Sequence, residues 1–127
     1  MKRVSLRGII PATVTPMTSD FRVDEDALVD YIKWISRFPI GGLAVNVDSG
    51  EGPHLYREEK TRILELVADV IKGKVPIIAG LSARFTAEAI ELARDAKEAG
   101  ADALLVFPIP AFSGSPLPPE IPYEYHK

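Results

Sequence analysis

The chain has 127 residues, 46% of them apolar, which is the size and composition of one domain with a buried core. A formal net charge of -3 and a pI near 5.4 argue against nucleic acid or an anionic membrane as the main partner. The absence of cysteine excludes disulfides and thiolate chemistry and makes a cytoplasmic protein the simplest reading.

The pattern alternates strand and helix. At the start, Lys2-Arg3 and the run GIIPATV (residues 8–14) have the outline of a secretory leader, but Pro11 interrupts it and no small-residue cleavage site follows. The run reads instead as a first short strand, closed by Thr15-Pro16. Asp24 caps a first helix through Lys33 and Trp34, with Leu28, Tyr31, Ile32 and Ile35 on one face at helical spacing. Pro39 and Gly41-Gly42 stop it. Leu43 to Val47 is a second strand. A second helix runs from Arg57 to Lys72, with Ile63, Leu64, Val67, Val70 and Ile71 inward and Gly73 at its end. VPIIAG (residues 75–80) is a third strand. Thr86 opens a third helix whose face of Ala89, Ile90, Ala93 and Ala96 is narrow, and Gly100 ends it. Asp102 to Phe107 is a fourth strand. No run approaches the ~20 apolar residues of a membrane-crossing helix.

These strands are near-continuous apolar runs, the pattern of a parallel sheet covered on both faces. Successive strands lie roughly 30 residues apart, the size of a βαβ unit. After Phe107 the character changes. Six of the chain's 11 prolines fall in residues 108–122, a proline-rich loop that reads either as a linker or as a stiffened cover over a strand end. The closing PYEYHK has the look of a further helix, so that residues 1–127 read as a partial barrel domain that stops within its fourth helix.

Taken in order, GIIPATVTPM, VDEDALVDYIKWI, GGLAVNVDSGEGPHL, GKVPIIAG and TAEAIELARDAKEAGADALLVFP resemble the first half of the dihydrodipicolinate synthase/N-acetylneuraminate lyase family. The match runs from Leu6 onward, and its stretches are specific in combination. The resemblance implies an α/β fold, the N-terminal half of a parallel (β/α)8 barrel, which when whole needs about 250 residues. It also implies a lyase or synthase of the class I aldolase type. In that chemistry a lysine forms a Schiff base with pyruvate or another 2-oxo acid, without a cofactor, in a homo-oligomer. The family's lysine lies on the sixth strand, and Lys33, Lys60, Lys72, Lys97 and Lys127 sit on helix exteriors or ends. The Schiff-base lysine is therefore absent from this chain.

In the family, the turn after the second strand holds the substrate carboxylate through backbone N–H groups and two threonine hydroxyls. Asp48 and Ser49 stand at those positions here, followed by Gly50 and Glu51. Ser49 keeps a hydroxyl for substrate binding and proton relay, and Gly50 keeps the backbone open. Asp48 departs from the pattern, because a carboxylate repels a substrate carboxylate. Either the substrate differs from a simple 2-oxo acid, or Asp48 turns inward as an Asx cap. Glu51 has two readings, a general base or, the favoured one, an acceptor for N–H groups of its own loop. His54 has two readings, an acid/base near the barrel mouth or a solvated helix cap. After the fourth strand, where the family carries a tyrosine pair, Phe112 stands at roughly that place and brings no hydroxyl. No metal-ligand cluster or phosphate-cradling glycine loop is present. A reading from a different class stands beside the enzyme: a non-catalytic half-barrel that dimerises or serves as an assembly module.

Overall fold

The computed structural model describes residues 4–112 and 116–127; Lys2-Arg3 and Ser113–Ser115 of the proline-rich loop lie outside the described residues. Helix α1 spans Glu25–Ile35 and starts where the Asp24 carboxylate accepts the Ala27 N–H at 3.0 Å. Its buried residues are Leu28, Ile32 and Ile35, three of the four positions read from spacing. Helix α2 (Arg57–Ile71) begins with the Tyr56 N–H donating to Glu59 at 2.8 Å. It ends one residue earlier than expected. Lys72 itself takes the left-handed conformation at φ 49, ahead of Gly73 at φ 73. Helix α3 covers Thr86–Glu98, and a short α4 covers Glu120–His126. The region expected as loop to residue 122 is thus already helical from Glu120, with Pro122 within the first turn, where its missing N–H costs no bond.

Strands β1 (Leu43–Val45), β2 (Ile77–Leu81) and β3 (Ala103–Val106) form one parallel sheet in sequence order. Leu43 lies opposite Ile77, and Ile78 opposite Ala103. The expected strand before α1 is reduced to one parallel bridge, Ala12 with Ala44. Pro11 explains this: its carbonyl accepts the Ala44 N–H at 3.0 Å, but it has no N–H to return. The neighbouring Thr13 N–H still donates to the Ala44 carbonyl at 2.9 Å, so the segment flanks β1 as a fourth, irregular strand would.

The core lies between the sheet and α1–α3, built from Leu43, Val45, Ile77 and Ala79 of the strands and Ile32, Ile63, Val67 and Ile71 of the helices. Both faces of β1 and most of β2 are buried, as their continuous apolar character predicts. Strand β3 departs from that expectation: Leu104, Leu105 and Val106 are 40%, 45% and 36% exposed. On α3 only Ala96 is buried, and Ile90 is 47% exposed, at an open depression that it shares with Val4, Ala93 and Leu104. No helix among the described residues is long and apolar enough to cross a membrane.

Ion pairs stitch the helices together on the outside. Arg62 of α2 grips Glu25 of α1 with two bonds, at 3.0 and 2.8 Å. Arg57 of α2 reaches α3, bonding Asp95 through two nitrogens and Glu91 at 2.9 Å. The Arg57 guanidinium holds the Asp95 carboxyl below its ordinary value of 3.8, against the opposing effect of burial. A depressed folded-state value stabilises the fold fully above the ordinary value and is lost as pH falls through the depressed one. Asp95→Asn should therefore lower stability at neutral pH and flatten the decline that the native chain shows below about pH 4, as read from urea midpoints across a pH series.

Candidate functional site

Strand β1 ends at Val45, just before Asn46, whose backbone is left-handed at φ 57, a conformation that asparagine tolerates better than most side chains. The bend throws the chain into two consecutive 3₁₀ turns, Asp48–Gly50 and Gly52–His54, with Glu51 between them also left-handed at φ 59. The Gly50 and Gly52 N–H groups both donate to the Val47 carbonyl, at 2.9 and 3.1 Å, and the Glu51 N–H donates to the Asp48 carbonyl at 3.1 Å. This places the turn at the carboxyl end of a parallel strand, where α/β folds carry their chemistry.

The Ser49 hydroxyl donates to the Thr13 carbonyl at 3.3 Å, and the Thr15 hydroxyl to the Gly50 carbonyl at 2.7 Å. The turn is thus clamped to the segment beside β1, with Thr13 fully buried and bonded to Ala44 at 3.2 Å. In ATVTP, the Thr15 hydroxyl is the one sequence signal for this clamp, since Thr13 takes part through its backbone carbonyl, which any residue would supply. It was not read as part of the site. A side chain at Gly50 would bring its Cβ to 2.9 Å from the Thr13 carbonyl, so this glycine permits the approach of the protein's own backbone.

Asp48 and Ser49 are exposed and line a cavity of about 490 Å³ on the inner face of the sheet, together with Ala44, Ile78, Leu105 and Phe107. The cavity is mostly apolar with polar groups at one end, the usual make-up of a small-molecule site. No lysine lines it. The Asp48 carboxylate takes no hydrogen bond among the described residues, so the Asx cap is not formed, and the side chain stays available at the cavity mouth. Of the three residues named for substrate binding, Asp48 and Ser49 line this cavity, whereas Gly50 is buried against the Thr13 carbonyl and does not.

The remaining candidates lie elsewhere. His54 borders a different depression of about 390 Å³ with Thr15, Met17, Phe21 and Leu55, and its Nδ1 sits 3.2 Å from Glu51 Oε2. Glu51 meets its loop's N–H groups through the backbone carbonyl, which accepts from His54 at 2.8 Å and Leu55 at 3.1 Å, while its side chain faces the histidine. Phe112, in a 3₁₀ turn over Pro110–Phe112, packs edge-on against Tyr125 of α4 with ring centroids 5.9 Å apart. Burial pushes the Tyr125 hydroxyl above its ordinary value, with the Glu88 carboxylate adding to the effect. Among the described residues there is no cluster of side chains that would hold a metal ion.

Residues 5–113 match the dihydrodipicolinate synthetase family. The 4-hydroxy-tetrahydrodipicolinate synthase of Agrobacterium fabrum is 45% identical over 100 residues, which is 79% of this chain and 34% of that protein. The enzyme of that name from Rhizobium meliloti is 42% identical over a stretch of the same length. Among solved structures, the chloride-inhibited dihydrodipicolinate synthase of Acinetobacter baumannii, in complex with pyruvate, superposes with a TM-score of 0.87 at 34% identity. That match covers 96% of this chain and 41% of the other. The Agrobacterium tumefaciens dihydrodipicolinate synthase gives a TM-score of 0.84 at 33% identity. The chain spans about a third of the length of the curated relatives it matches.

The turn depends on one more contact. A Cβ at Gly52 would stand 1.8 Å from the Asn46 carbonyl oxygen, so Gly52→Ala must displace backbone. We expect a loss of about 3 kcal/mol or more in denaturant unfolding, against about 1 kcal/mol for an ordinary substitution.

Proposed function

Since the chain belongs to the dihydrodipicolinate synthetase family, we propose that it forms the substrate-carboxylate end of a class I aldolase-type lyase or synthase acting on pyruvate or another 2-oxo acid. The Schiff-base lysine of that reaction is one that this chain does not contribute. The observation that carries the proposal is the Asp48–Gly50 turn, at the end of β1 and at the mouth of the 490 Å³ inner cavity.

In this reading the Ser49 hydroxyl and the Asp48 and Ser49 N–H groups, the ones in the turn without a backbone partner among the described residues, receive the substrate carboxylate, and Ser49 passes a proton when its hydroxyl turns from the Thr13 carbonyl toward the cavity. The long 3.3 Å bond to Thr13 makes that rotation inexpensive. Asp48 adds a negative charge beside the carboxylate. Its exposure lets water screen the repulsion, and it favours substrates that hold their carboxylate on the Ser49 side. The chemistry needs no cofactor. A cysteine-free sequence and the biosynthetic names of the relatives support a cytoplasmic setting.

The test is Ser49→Ala in a full-length relative carrying the grafted Asp-Ser-Gly-Glu turn. We expect kcat/KM to fall by about an order of magnitude or more, with stability within about 1 kcal/mol. Unchanged activity with lost stability would reduce Ser49 to a structural clamp.

A second reading, self-assembly of the half-barrel, is favoured by the exposure of Leu104, Leu105 and Val106 on the edge strand β3. An apolar, uncharged edge and inner face invite pairing with another copy. Light scattering of the purified chain should give a dimer or larger species, and Leu105→Lys should shift it toward monomer. A monodisperse monomer of the unsubstituted chain sinks this reading.

A further inference from the structure

The side chain of Asn46 leaves one polar atom unaccounted for. Asn46 is 3% exposed, and its Nδ2 donates to the Lys60 carbonyl at 3.0 Å. That bond fixes which way the amide points, since turning it over would set two oxygens against each other. Oδ1 is then buried with no partner among the described residues. Buried carbonyl oxygens without a partner are uncommon, because desolvation is left uncompensated.

Asn46 lines a small cavity of about 20 Å³ between the sheet and helices α2 and α3, on the opposite side of the sheet from the Asp48 and Ser49 cavity. Such a volume accommodates one water, which needs at least about 10–15 Å³ and a few polar neighbours. Those neighbours are present in Lys60, Thr61, Ser82 and Asp95. The Thr61 hydroxyl already donates to the Arg57 carbonyl at 3.1 Å, so toward the cavity it offers lone pairs.

We propose that one water molecule is an integral part of this fold, held in the cavity beneath Asn46 and donating a hydrogen bond to its Oδ1. The lining distinguishes water from charged occupants. A metal or ammonium ion would meet the cations of Arg57 and Lys60, while the Asp95 carboxylate in the lining is already bonded at both oxygens by Arg57. The volume admits only a monatomic anion, which has no hydrogen to give Oδ1. A neutral donor that can also accept fits both. Burial lowers the Lys60 ammonium from its ordinary value, consistent with a confined, little-hydrated surrounding. The water would tie the residue just after β1 to the two helices behind it.

The experiment is water–protein NOE and ROE spectroscopy on the labelled chain, with a high-resolution crystal structure beside it. Long-lived water should give cross-peaks to the Asn46 side-chain amide, and the crystal should place a water within hydrogen-bond distance of Oδ1. Ala96→Val, which adds volume to the cavity wall, should abolish the cross-peaks. Cross-peaks missing from the native chain, or persisting at full strength in Ala96→Val, overturn the proposal. If that variant does not fold, the native crystal structure decides: an empty cavity ends the idea.

Discussion

The backbone carbonyl of Asn46 sits in a slot that only two missing side chains leave open. A Cβ at Gly52 would lie 1.8 Å from it and one at Gly80 2.3 Å, so the carbonyl is enclosed by backbone on both sides. Asn46 is held from the other end by its amide bond to α2. Strand β1 cannot continue through a left-handed residue, and the chain has to leave the sheet at this point. The exit direction sets the two 3₁₀ turns, and these set where Asp48 and Ser49 face. The approach of β2 is fixed by the same contact, because Gly80 lies on that strand.

Around that point the molecule divides into two environments. Behind the sheet, Leu, Ile and Val from α1, α2 and the strands make an apolar core, closed on the outside by arginine–carboxylate pairs that span neighbouring helices. In front of it, Ala44, Ile78, Leu105 and Phe107 face an open cavity whose only ionisable wall among the described residues is the turn. The alternation of side chains along a strand assigns each residue of β1 to one environment: Leu43 and Val45 to the core, Ala44 to the cavity. A small residue at Ala44 keeps space in front of the sheet, and branched ones at its neighbours fill the space behind.

Helices and their caps were legible in the sequence because periodicity and capping are local. Asp24 and the α2 stripe needed no knowledge of the rest of the chain. The segment before α1 was less so: its apolar run has the composition of a strand, but Pro11 removes the donor that a regular ladder requires. The α3 face misled for another reason. Spacing marks which residues can share a face, not whether anything packs there, and Ile90 stays exposed at an open depression. At the site, the strand–turn–helix order marked the turn, and the family resemblance singled out Asp48, Ser49 and Gly50 within it. The Thr13 and Thr15 clamp escaped because its bonds join residues 35 and 36 positions apart in the chain. His54 and Phe112 are near the turn in sequence or by resemblance, yet point into other surroundings.

The sheet order β1-β2-β3 repeats the order of the strands along the chain. Each strand therefore pairs with the one made just before it, across a single helix, and no strand waits for a distant partner. During synthesis, which proceeds at about 5–20 residues per second, each βα unit can settle on a finished template before the next emerges. The outermost strand at any moment is then both the newest part of the fold and the surface on which the following part is assembled.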